Sequence, residues 1–401
     1  MVDTLRKIIE RQYQTYLEIK SQFYIKRRAR FIDTPLIQVV IGPRRAGKSF
    51  FCIHEAPPSV YLNFDDEGLL KYSIEEILAM ARIIFPQYNH IILDEIQNLN
   101  NWQLIVNRLH RQGQRIIITG SNAHLLSGEL ATHLTGRHIP IFILPLSYQE
   151  AHQALNTSFQ EYIATGGLPE NILRPEQTLP YTTTLVQSIL LKDIVQRYRI
   201  RKVAETESLL QSMLSNSAQI YSDRKLAHAT DVKSPTSIRK YIRYFESAFL
   251  LFTIPSFSYK TTSDITLLKK AFAYDAAYIQ ALSQSKNPDE GRLYETIVAI
   301  QLKHEELLSR HRLYFYKNAQ GYEVDFVLVK EKKATALIQV TANPNLEREV
   351  RGLIHAAKDT RCDNLIIVQP QETHTKKETW FGTTYTIHCI SFEEWLLNGG
   401  R

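Results

Sequence analysis

One eight-residue stretch, Gly42-Pro-Arg-Arg-Ala-Gly-Lys-Ser49, constrains the fold of this 401-residue chain more than any other feature. It directly follows an apolar run at 37–41 whose length and composition are typical of a buried strand. Its two glycines let the backbone curl so that successive N–H groups face one point, and the helix expected next turns its positive end toward the same point. The stretch therefore has the pattern of a phosphate-binding loop between a strand and a helix.

A loop of this kind predicts a nucleoside triphosphate, ATP, as the ligand. Lys48 would supply a point charge to the outer phosphates, and the Ser49 hydroxyl would contact Mg²⁺. A glycine-rich turn with a purely structural role is the alternative. The residues predicted to bind the nucleotide are Gly42, Arg45, Gly47, Lys48 and Ser49.

A second motif supports the first. The stretch 90–95, His-Ile-Ile-Leu-Asp-Glu, is an apolar strand that ends in two acids. The metal-binding strand of a P-loop nucleoside triphosphatase ends in the same way. We expect Asp94 to hold Mg²⁺ together with Ser49, and Glu95 to polarise the attacking water. The alternative is an acidic pair that only caps the next turn.

A third apolar run, 115–119, ends in Gly120-Ser121-Asn122. These polar groups are candidates to contact the γ-phosphate or its water, and Ser121 is the predicted sensor. Gly, Ser and Asn are also common in turns, so a turn without a role in binding is the alternative.

Composition predicts a folded protein of two or three domains, because 44% of the residues are hydrophobic, 22% are charged and 401 residues exceed one comfortable core. No apolar run approaches the roughly 18 residues of a membrane helix, and the first residues form an amphipathic pattern instead of a signal peptide. Cys52, Cys362 and Cys389 lie too far apart in sequence to indicate a disulfide framework or a zinc site. We therefore predict a cytoplasmic protein without a membrane partner.

The net charge of +7 is unevenly distributed. Residues 1–30 hold eight Lys and Arg against three acids, and residues 195–270 hold thirteen against six. Two basic segments on an otherwise acidic chain suggest a polyanion partner, most simply nucleic acid. Solvated basic faces without a partner are the alternative.

Strand-like and helix-like runs alternate up to about residue 150, which predicts an α/β fold with a parallel sheet, helices on both faces and the ligand at the strand tips. The strand-like runs are 36–41, 60–64, 90–93, 115–119 and 138–144. The predicted segments are an amphipathic helix (1–35), an ATPase core (36–150), a helical lid (151–204), a winged helix (205–270) and an α+β domain (271–401).

The winged-helix prediction rests on three helical runs followed by an apolar strand at 249–254 and a turn. Ser234 and Pro235 suit the cap and first turn of the third helix. Arg239, Lys240 and Arg243 would lie on one flank of that helix and are the candidate contacts to duplex DNA. A protein-docking or spacer role is the alternative.

The motifs together resemble one family, the prokaryotic AAA-type ATPases fused to a C-terminal domain of unknown function. The resemblance is carried by the loop at 42–49, by Leu-Asp-Glu-Ile-Gln at 93–97 with Trp102, by 119–121, by Leu-Thr-Gly-Arg at 134–137 and by Pro-Leu-Ser-Tyr at 145–148. It implies that Arg137 contacts the γ-phosphate, either in its own subunit or in a neighbouring subunit of a homo-oligomer.

The C-terminal part of that family is in turn similar to the PD-(D/E)xK nuclease fold, in which a helical Glu, a strand Asp and an (E/D)-x-K strand hold a metal. Glu295 and Asp325 match the first two positions, but the third reads Gln339-Val-Thr341. A carboxylate has become an amide and the lysine is absent, so the resemblance implies a nuclease-like domain whose site is degenerate.

The sequence thus predicts a Mg²⁺-dependent ATPase that acts as a nucleotide-driven switch associated with DNA, with Glu95, Arg137 and Ser121 in catalytic roles. An ATP-gated protein-interaction scaffold without DNA binding is one alternative. An ATP-assisted nuclease is the other, and the substitutions at Gln339 and Thr341 disfavour it.

Overall fold

The computed structural model describes residues 2–85, 87–123, 134, 136–258, 268–282, 289–309, 311–343, 346–380 and 382–400. The chain forms two compact units. The first comprises Met1–Pro145 with Ser247–Phe249, and the second comprises Leu146–Glu246 with Leu250–Arg401.

The first unit is built on a parallel sheet with the strand order β2-β3-β4-β1-β5. Every residue of β1 and β3 is buried, as expected for strands covered on both faces. The predicted α/β class with a parallel sheet is confirmed. The strands are β1 (Ile37–Ile41), β2 (Ser59–Asn63), β3 (His90–Asp94), β4 (Arg115–Gly120) and β5 (His138–Phe142).

Four helices within the described residues accompany this sheet, and the first is the amphipathic helix expected at the start of the chain, with Leu5 and Ile9 buried. The third begins at Ser73, whose hydroxyl and the Glu76 carboxylate form a reciprocal cap. The helices are α1 (Val2–Ser21), α2 (Lys48–Glu55), α3 (Ile74–Ile84) and α4 (Trp102–Arg111), with short 3₁₀ turns at Leu69–Lys71 and Ile96–Asn98.

The second unit begins with helices. They run with short breaks from Tyr148 to Gln196 and cover most of the segment predicted as a helical lid (151–204), whose role as a lid stays a prediction. The elements are α5 (Tyr148–Leu155), α6 (Phe159–Thr165), α7 (Pro169–Leu173), a 3₁₀ turn (Pro175–Gln177) and α8 (Thr178–Ser188), which continues as a π-helix over Ile189–Gln196.

A small antiparallel sheet with the order β6-β8-β7 follows. Along the chain, the elements of this region follow the order helix, strand, helix, helix, strand, strand, helix. The turn expected to form a wing falls largely on residues 259–267, which lie outside the described residues. The elements are α9 (Val203–Ser215), β6 (Gln219–Tyr221), α10 (Asp223–Ala229), α11 (Pro235–Ser247), β7 (Leu251–Pro255), β8 (Lys269–Ala273) and α12 (Ala276–Leu282).

The last third contains a mixed six-stranded sheet with the order β13-β14-β12-β11-β10-β9, which confirms the expected α+β character. β11, β12 and β14 run parallel, and the other neighbouring pairs are antiparallel. The elements are α13 (Glu290–Leu308), β9 (Arg312–Lys317), β10 (Glu323–Lys330), β11 (Lys333–Val340), α14 (Glu347–Thr360), β12 (Leu365–Gln369), β13 (His374–Trp380), β14 (Thr383–Ser391) and α15 (Phe392–Leu397).

Among the described residues, no helix combines the length and the apolar character that crossing a bilayer would require.

Candidate nucleotide-binding site

The predicted phosphate loop joins the carboxyl end of β1 to the start of α2, which begins at Lys48. Its backbone has the tight curvature that the sequence suggested: Arg45 and Gly47 both adopt positive φ, 65° and 90°. Gly42 is required for a different reason, because a Cβ there would lie 1.8 Å from the carbonyl oxygen of Ile143. The loop is therefore fixed by one close approach and two left-handed residues.

Lys48 is buried, and its ammonium group lies across the loop. Nζ donates to the carbonyl oxygens of Gly42 at 3.1 Å and Pro43 at 2.9 Å. A phosphate that enters the loop would compete with these two carbonyls for the same three N–H donors. The Lys48 ammonium group is thus already held beside the loop residues that would contact the phosphates.

Asp94 ends β3 and is the most heavily hydrogen-bonded side chain of the site. Ser49 Oγ donates to its Oδ2 at 2.7 Å, Tyr61 Oη donates to the same oxygen at 2.5 Å, and Thr119 Oγ1 donates to Oδ1. Burial and the neighbouring Glu95 raise the pKa of Asp94, and the three hydroxyl donors oppose that rise. The predicted loop and strand-tip motifs therefore meet directly, at the Ser49–Asp94 hydrogen bond.

Glu95 follows Asp94 in a left-handed conformation, with φ 49° and ψ 46°, which is unusual for a residue with a Cβ. Its backbone N–H donates to Thr119 Oγ1 at 3.1 Å, and Gln97 Nε2 donates to its carboxylate. Strained backbone of this kind is held by its surroundings and is common at functional positions.

Ser121 and Asn122 are both buried just beyond the end of β4. Gly120 pairs with Ile41 in the sheet, so Ser121 and Gly42 follow paired residues at the same edge. Ser121 Oγ has no hydrogen-bond partner among the described residues. This edge of the sheet thus brings Ser121 together with the loop, Asp94 and Glu95.

Arg137 lies at the opposite end of the sheet, where the strands begin. It precedes β5, whose first residue, His138, pairs with Ile37 at the start of β1. The five residues of β1 separate that level from the loop, which is about 17 Å at the usual strand rise. Its Nη1 donates to Asn107 Oδ1 at 3.3 Å. Within one chain, Arg137 is therefore not brought together with Lys48 and Asp94.

Two further contributors were missed by the sequence analysis, which took residues 1–30 only as a basic segment that meets a polyanion or is solvated. Arg27 is buried, and its guanidinium donates to the carbonyl oxygens of Ala46 (2.8 Å) and Leu144. Tyr61, on the neighbouring strand β2, was not singled out either. No local pattern marks these two residues, because their partners are distant in sequence.

The candidate DNA-contact residues lie on α11 in the second unit. Lys240 and Arg243 are exposed. Arg239 is exposed as well, but its Nε and Nη2 donate to Asp223 Oδ2 at 3.0 and 2.8 Å. Tyr198 stacks on Tyr244 with ring centroids 3.6 Å apart, which brings the segment 197–201 against α11. Arg197, Arg199 and Arg201 in that segment are also exposed.

The three nuclease-like positions also come together. Gln339 Oε1 accepts the N–H of Asp325 at 3.2 Å, and both Asp325 and Glu295 face one point. At that point lies Lys270, which the sequence analysis did not single out. Its Nζ is 3.0 Å from Glu295 Oε1, 3.1 Å from Asp325 Oδ1 and 2.7 Å from Oε1 of a further acid, Glu323.

Thr341 does not join this group, since its hydroxyl accepts from Asn343 N–H at 3.0 Å. The described part of the chain contains no group of His, Cys, Asp or Glu suited to hold a metal ion. The residues thus do not fit the metal that a nuclease of this type would use.

A phosphate loop at the carboxyl-terminal ends of the strands of a five-stranded parallel sheet, with an acidic strand tip hydrogen-bonded to it, defines a P-loop nucleoside triphosphatase. Residues 34–152 match the family model described as "AAA domain". Residues 156–289 and 290–390 match two models described as domains of unknown function, DUF8612 and DUF4143.

Two relatives are similar over most of the chain. The uncharacterized protein MJ1544 of Methanocaldococcus jannaschii is 31% identical over 394 residues, covering 90% of this chain and 88% of the relative. An uncharacterized protein of Haemophilus influenzae is 28% identical over 369 residues, covering 84% and 90%. The crystal structure of Cdc6p from Pyrobaculum aerophilum aligns with 68% of this chain and 93% of that chain, at 12% identity and with a TM-score of 0.23.

The chain belongs to the AAA-type P-loop ATPase family in which the AAA domain is followed by C-terminal domains of unknown function. The family prediction is confirmed, and the first unit contains an AAA-type, nucleotide-binding ATPase domain.

Proposed function

We propose that this protein binds and hydrolyses ATP with Mg²⁺ and uses the cycle as a switch associated with DNA. The observation that carries the proposal is the hydrogen bond between Ser49 and Asp94, 2.7 Å long, because it joins the phosphate loop to the acidic strand tip. These are the two groups that a P-loop nucleoside triphosphatase uses to hold one metal ion.

Ser49 and Asp94 would hold the Mg²⁺. A hydroxyl and a carboxylate are the hard oxygen donors that this ion prefers, and both already point at a shared position. When bound, the ion neutralises phosphate charge and orients the terminal phosphates. Tyr61 and Thr119 keep the Asp94 carboxylate in one orientation for this purpose.

Lys48 binds the outer phosphates by exchanging its contacts with the Gly42 and Pro43 carbonyls for phosphate oxygens. Glu95 orients the attacking water, and its left-handed backbone, held by Thr119, fixes the direction of its side chain. Ser121 responds to the γ-phosphate, which is supported by its buried hydroxyl at the same end of the sheet, since that hydroxyl has no hydrogen-bond partner within the described part of the chain.

Arg137 acts on the nucleotide of a neighbouring subunit. Its position at the amino edge of the sheet, a strand length from its own loop, supports this choice over the same-subunit alternative. The protein therefore works as a homo-oligomer, and each complete site combines one chain's loop with another chain's arginine.

DNA association would use α11 and the segment 197–201 in the second unit, in the part of the chain predicted as a winged helix. Five exposed cationic side chains support contact with phosphates: Lys240, Arg243, Arg197, Arg199 and Arg201. Tyr198 stacked on Tyr244 holds the two elements side by side.

The second candidate function is an ATP-gated protein scaffold without DNA binding. The hydrogen bonds from Arg239 to Asp223 favour it, because they occupy one of the three arginine and lysine side chains expected to meet DNA. An ATP-assisted nuclease is disfavoured, since Glu295 and Asp325, the two matching acids, already bind Lys270 and the third position is the amide Gln339.

Turnover of ATP, measured with and without duplex DNA and alongside size-exclusion chromatography in ATP, tests the proposal. A DNA-associated switch should show turnover that changes with DNA and an oligomer in ATP. Turnover indifferent to DNA would favour the scaffold, and absence of turnover in an oligomeric, Mg²⁺-supplied protein would contradict the ATPase itself.

A further inference from the structure

Lys270 is almost completely buried, with 3% of its side chain exposed, and it is the central cation of a cluster built from three elements. It comes from β8, the central strand of the small antiparallel sheet. Glu295 comes from α13, and Glu323 and Asp325 come from β10 of the mixed sheet. An ammonium group has three N–H donors, and each of the three carboxylates takes one.

The electrostatics of the cluster favour a charged lysine. Burial opposes the charge, but attraction by Glu295, Asp325 and Glu323 outweighs it and raises the pKa of Lys270. Burial and the charge of Asp325 raise the pKa of Glu295 to about 8. Lys270 is therefore a permanent cation at the centre of the cluster, and the more exposed Lys317 pairs with the other oxygen of Glu323 at 3.1 Å.

The space for a metal ion is taken. Mg²⁺ and Ca²⁺ bind oxygens at about 2.0 to 2.6 Å and need several of them around one point. Here the point shared by the three acids is the lysine nitrogen, no more than 3.1 Å from each oxygen. The other oxygen of Asp325, Oδ2, accepts the N–H of Val340 at 3.0 Å.

We propose that Lys270 takes the place of a metal ion in this acidic cluster. It is an internal cation that fastens β8 to α13 and β10 and closes the cluster to divalent metals and to phosphodiesters. The second unit is thereby stabilised by a lysine at the position where a nuclease of similar layout would use a metal, independently of the ATPase activity proposed for the first unit.

The test is thermal unfolding of full-length Lys270→Met protein without nucleotide, in the presence and absence of Mn²⁺. Without metal, removing one partner of a buried ionic cluster should lower the melting temperature by about 6 °C or more. If a metal ion can occupy the position that the ammonium group leaves, Mn²⁺ should bind the three acids of the variant. At 100 times its dissociation constant, Mn²⁺ should then raise the melting temperature by about 5 to 10 °C. The wild-type melting temperature should not respond to Mn²⁺.

A matched control is Lys303→Met. Lys303 lies on the same helix as Glu295 and is only 18% exposed, but among the described residues its ammonium forms an ion pair with a single acid, Glu306, at 2.6 Å. This variant should lose stability without gaining a Mn²⁺ response. Adding Asp325→Asn to Lys270→Met should abolish the Mn²⁺ response, because it removes one of the three converging acids.

Two results would overturn the proposal. One is a folded Lys270→Met protein whose melting temperature ignores Mn²⁺. The other is wild-type protein that binds Mn²⁺ without nucleotide, detected by electron paramagnetic resonance, and loses that binding in Asp325→Asn. The second readout uses a folded wild-type chain, so it decides the matter even if Lys270→Met fails to fold. Recovery of Lys270→Met folding on adding Mn²⁺ would support the proposal directly.

Discussion

Tyr61 and Asp94 are joined by a hydrogen bond between neighbouring strands, with 2.5 Å between the phenol oxygen and Oδ2 of the acid. In the register of β2 and β3, Tyr61 pairs with Ile92, so the two side chains are diagonal neighbours on one face of the sheet. On its other side the Tyr61 ring lies 6.5 Å from the ring of Tyr16 on α1. The amino-terminal helix therefore packs against the residue that orients the proposed metal ligand.

We expect Tyr61→Phe to raise the Mg²⁺ concentration needed for half-maximal ATP turnover by about tenfold, the effect of losing one hydrogen bond to a carboxylate. Turnover at saturating Mg²⁺ should fall much less, because Ser49 and Thr119 still bond Asp94. Titration of turnover with Mg²⁺ measures both quantities. Tyr16→Phe is the matched control, since it removes a nearby hydroxyl without changing any bond to Asp94. Equal losses at all Mg²⁺ concentrations would argue against a positioning role.

Arg137→Ala should reduce ATP turnover by about 10³-fold or more while leaving ATP binding nearly unchanged, because an arginine at the γ-phosphate acts mainly on transition-state charge. Mixing Arg137→Ala with Lys48→Ala protein should restore part of the turnover, since some interfaces would pair an intact loop with an intact arginine. Arg115→Ala is the control: this arginine begins β4 and pairs with Asp33 on the surface. Oligomers without recovery in the mixture would indicate that Arg137 acts within its own subunit.

Binding to duplex DNA should weaken steeply with salt and depend little on sequence, because the proposed contacts are to phosphates. Replacing Lys240 and Arg243 by Gln should flatten the slope of log affinity against log salt by about 0.9 per lost phosphate contact. Replacing Arg197, Arg199 and Arg201 should flatten it as well. Arg239→Gln should change it less than either replacement, because Arg239 already pairs with Asp223. An unchanged slope in both multiple variants, with wild-type DNA binding intact, would exclude this surface.

Glu295 should make the protein less stable as the pH rises. Its pKa is raised to about 8 in the folded protein, whereas an unfolded Glu titrates near 4.3, so the folded state binds a proton that the unfolded state has lost. The free energy of unfolding should therefore fall between about pH 5 and pH 8, by at most about 1.4 kcal/mol per pH unit from this group. Glu295→Gln should remove that part of the slope.

Urea denaturation of wild-type and Glu295→Gln protein across this range measures the difference. Asp275 also titrates there, since burial raises its pKa to about 7, but it is present in both proteins and cancels in the comparison. Parallel pH profiles for the two proteins would show that Glu295 is ionised in the folded state at neutral pH.

Most of the layout of the candidate nucleotide site could be predicted from sequence because each part is local. The loop, the two acids and Ser121 each follow a buried apolar strand, and parallel strands deliver their carboxyl ends to one edge. The five parallel strands were predicted for the same reason. The distance between Arg137 and the loop was not predicted. It follows from the register of β5 with β1, which places Arg137 beside the start of β1, whereas the loop follows the end of β1.

Lys270 could not be found from the sequence. It is the second of two adjacent lysines, and nothing local distinguishes it from exposed Lys269. Its three acidic partners lie 25 to 55 residues further along the chain, so the contact depends on how β8, α13 and β10 pack. Arg27 and Tyr61 were missed for the same reason, since their partners come from other elements. The boundaries of the five predicted segments stay a prediction.

Equilibrium binding of a fluorescent ATP analogue to wild-type, Lys48→Ala and Glu95→Gln protein tests the central claim most directly. Lys48→Ala should bind no measurable analogue, because it removes the counter-charge of the phosphates, whereas Glu95→Gln should bind it as tightly as the wild type and retain it without turnover. Normal binding by Lys48→Ala would contradict the assignment of residues 42–49 as the phosphate loop, and with it the proposed ATP switch.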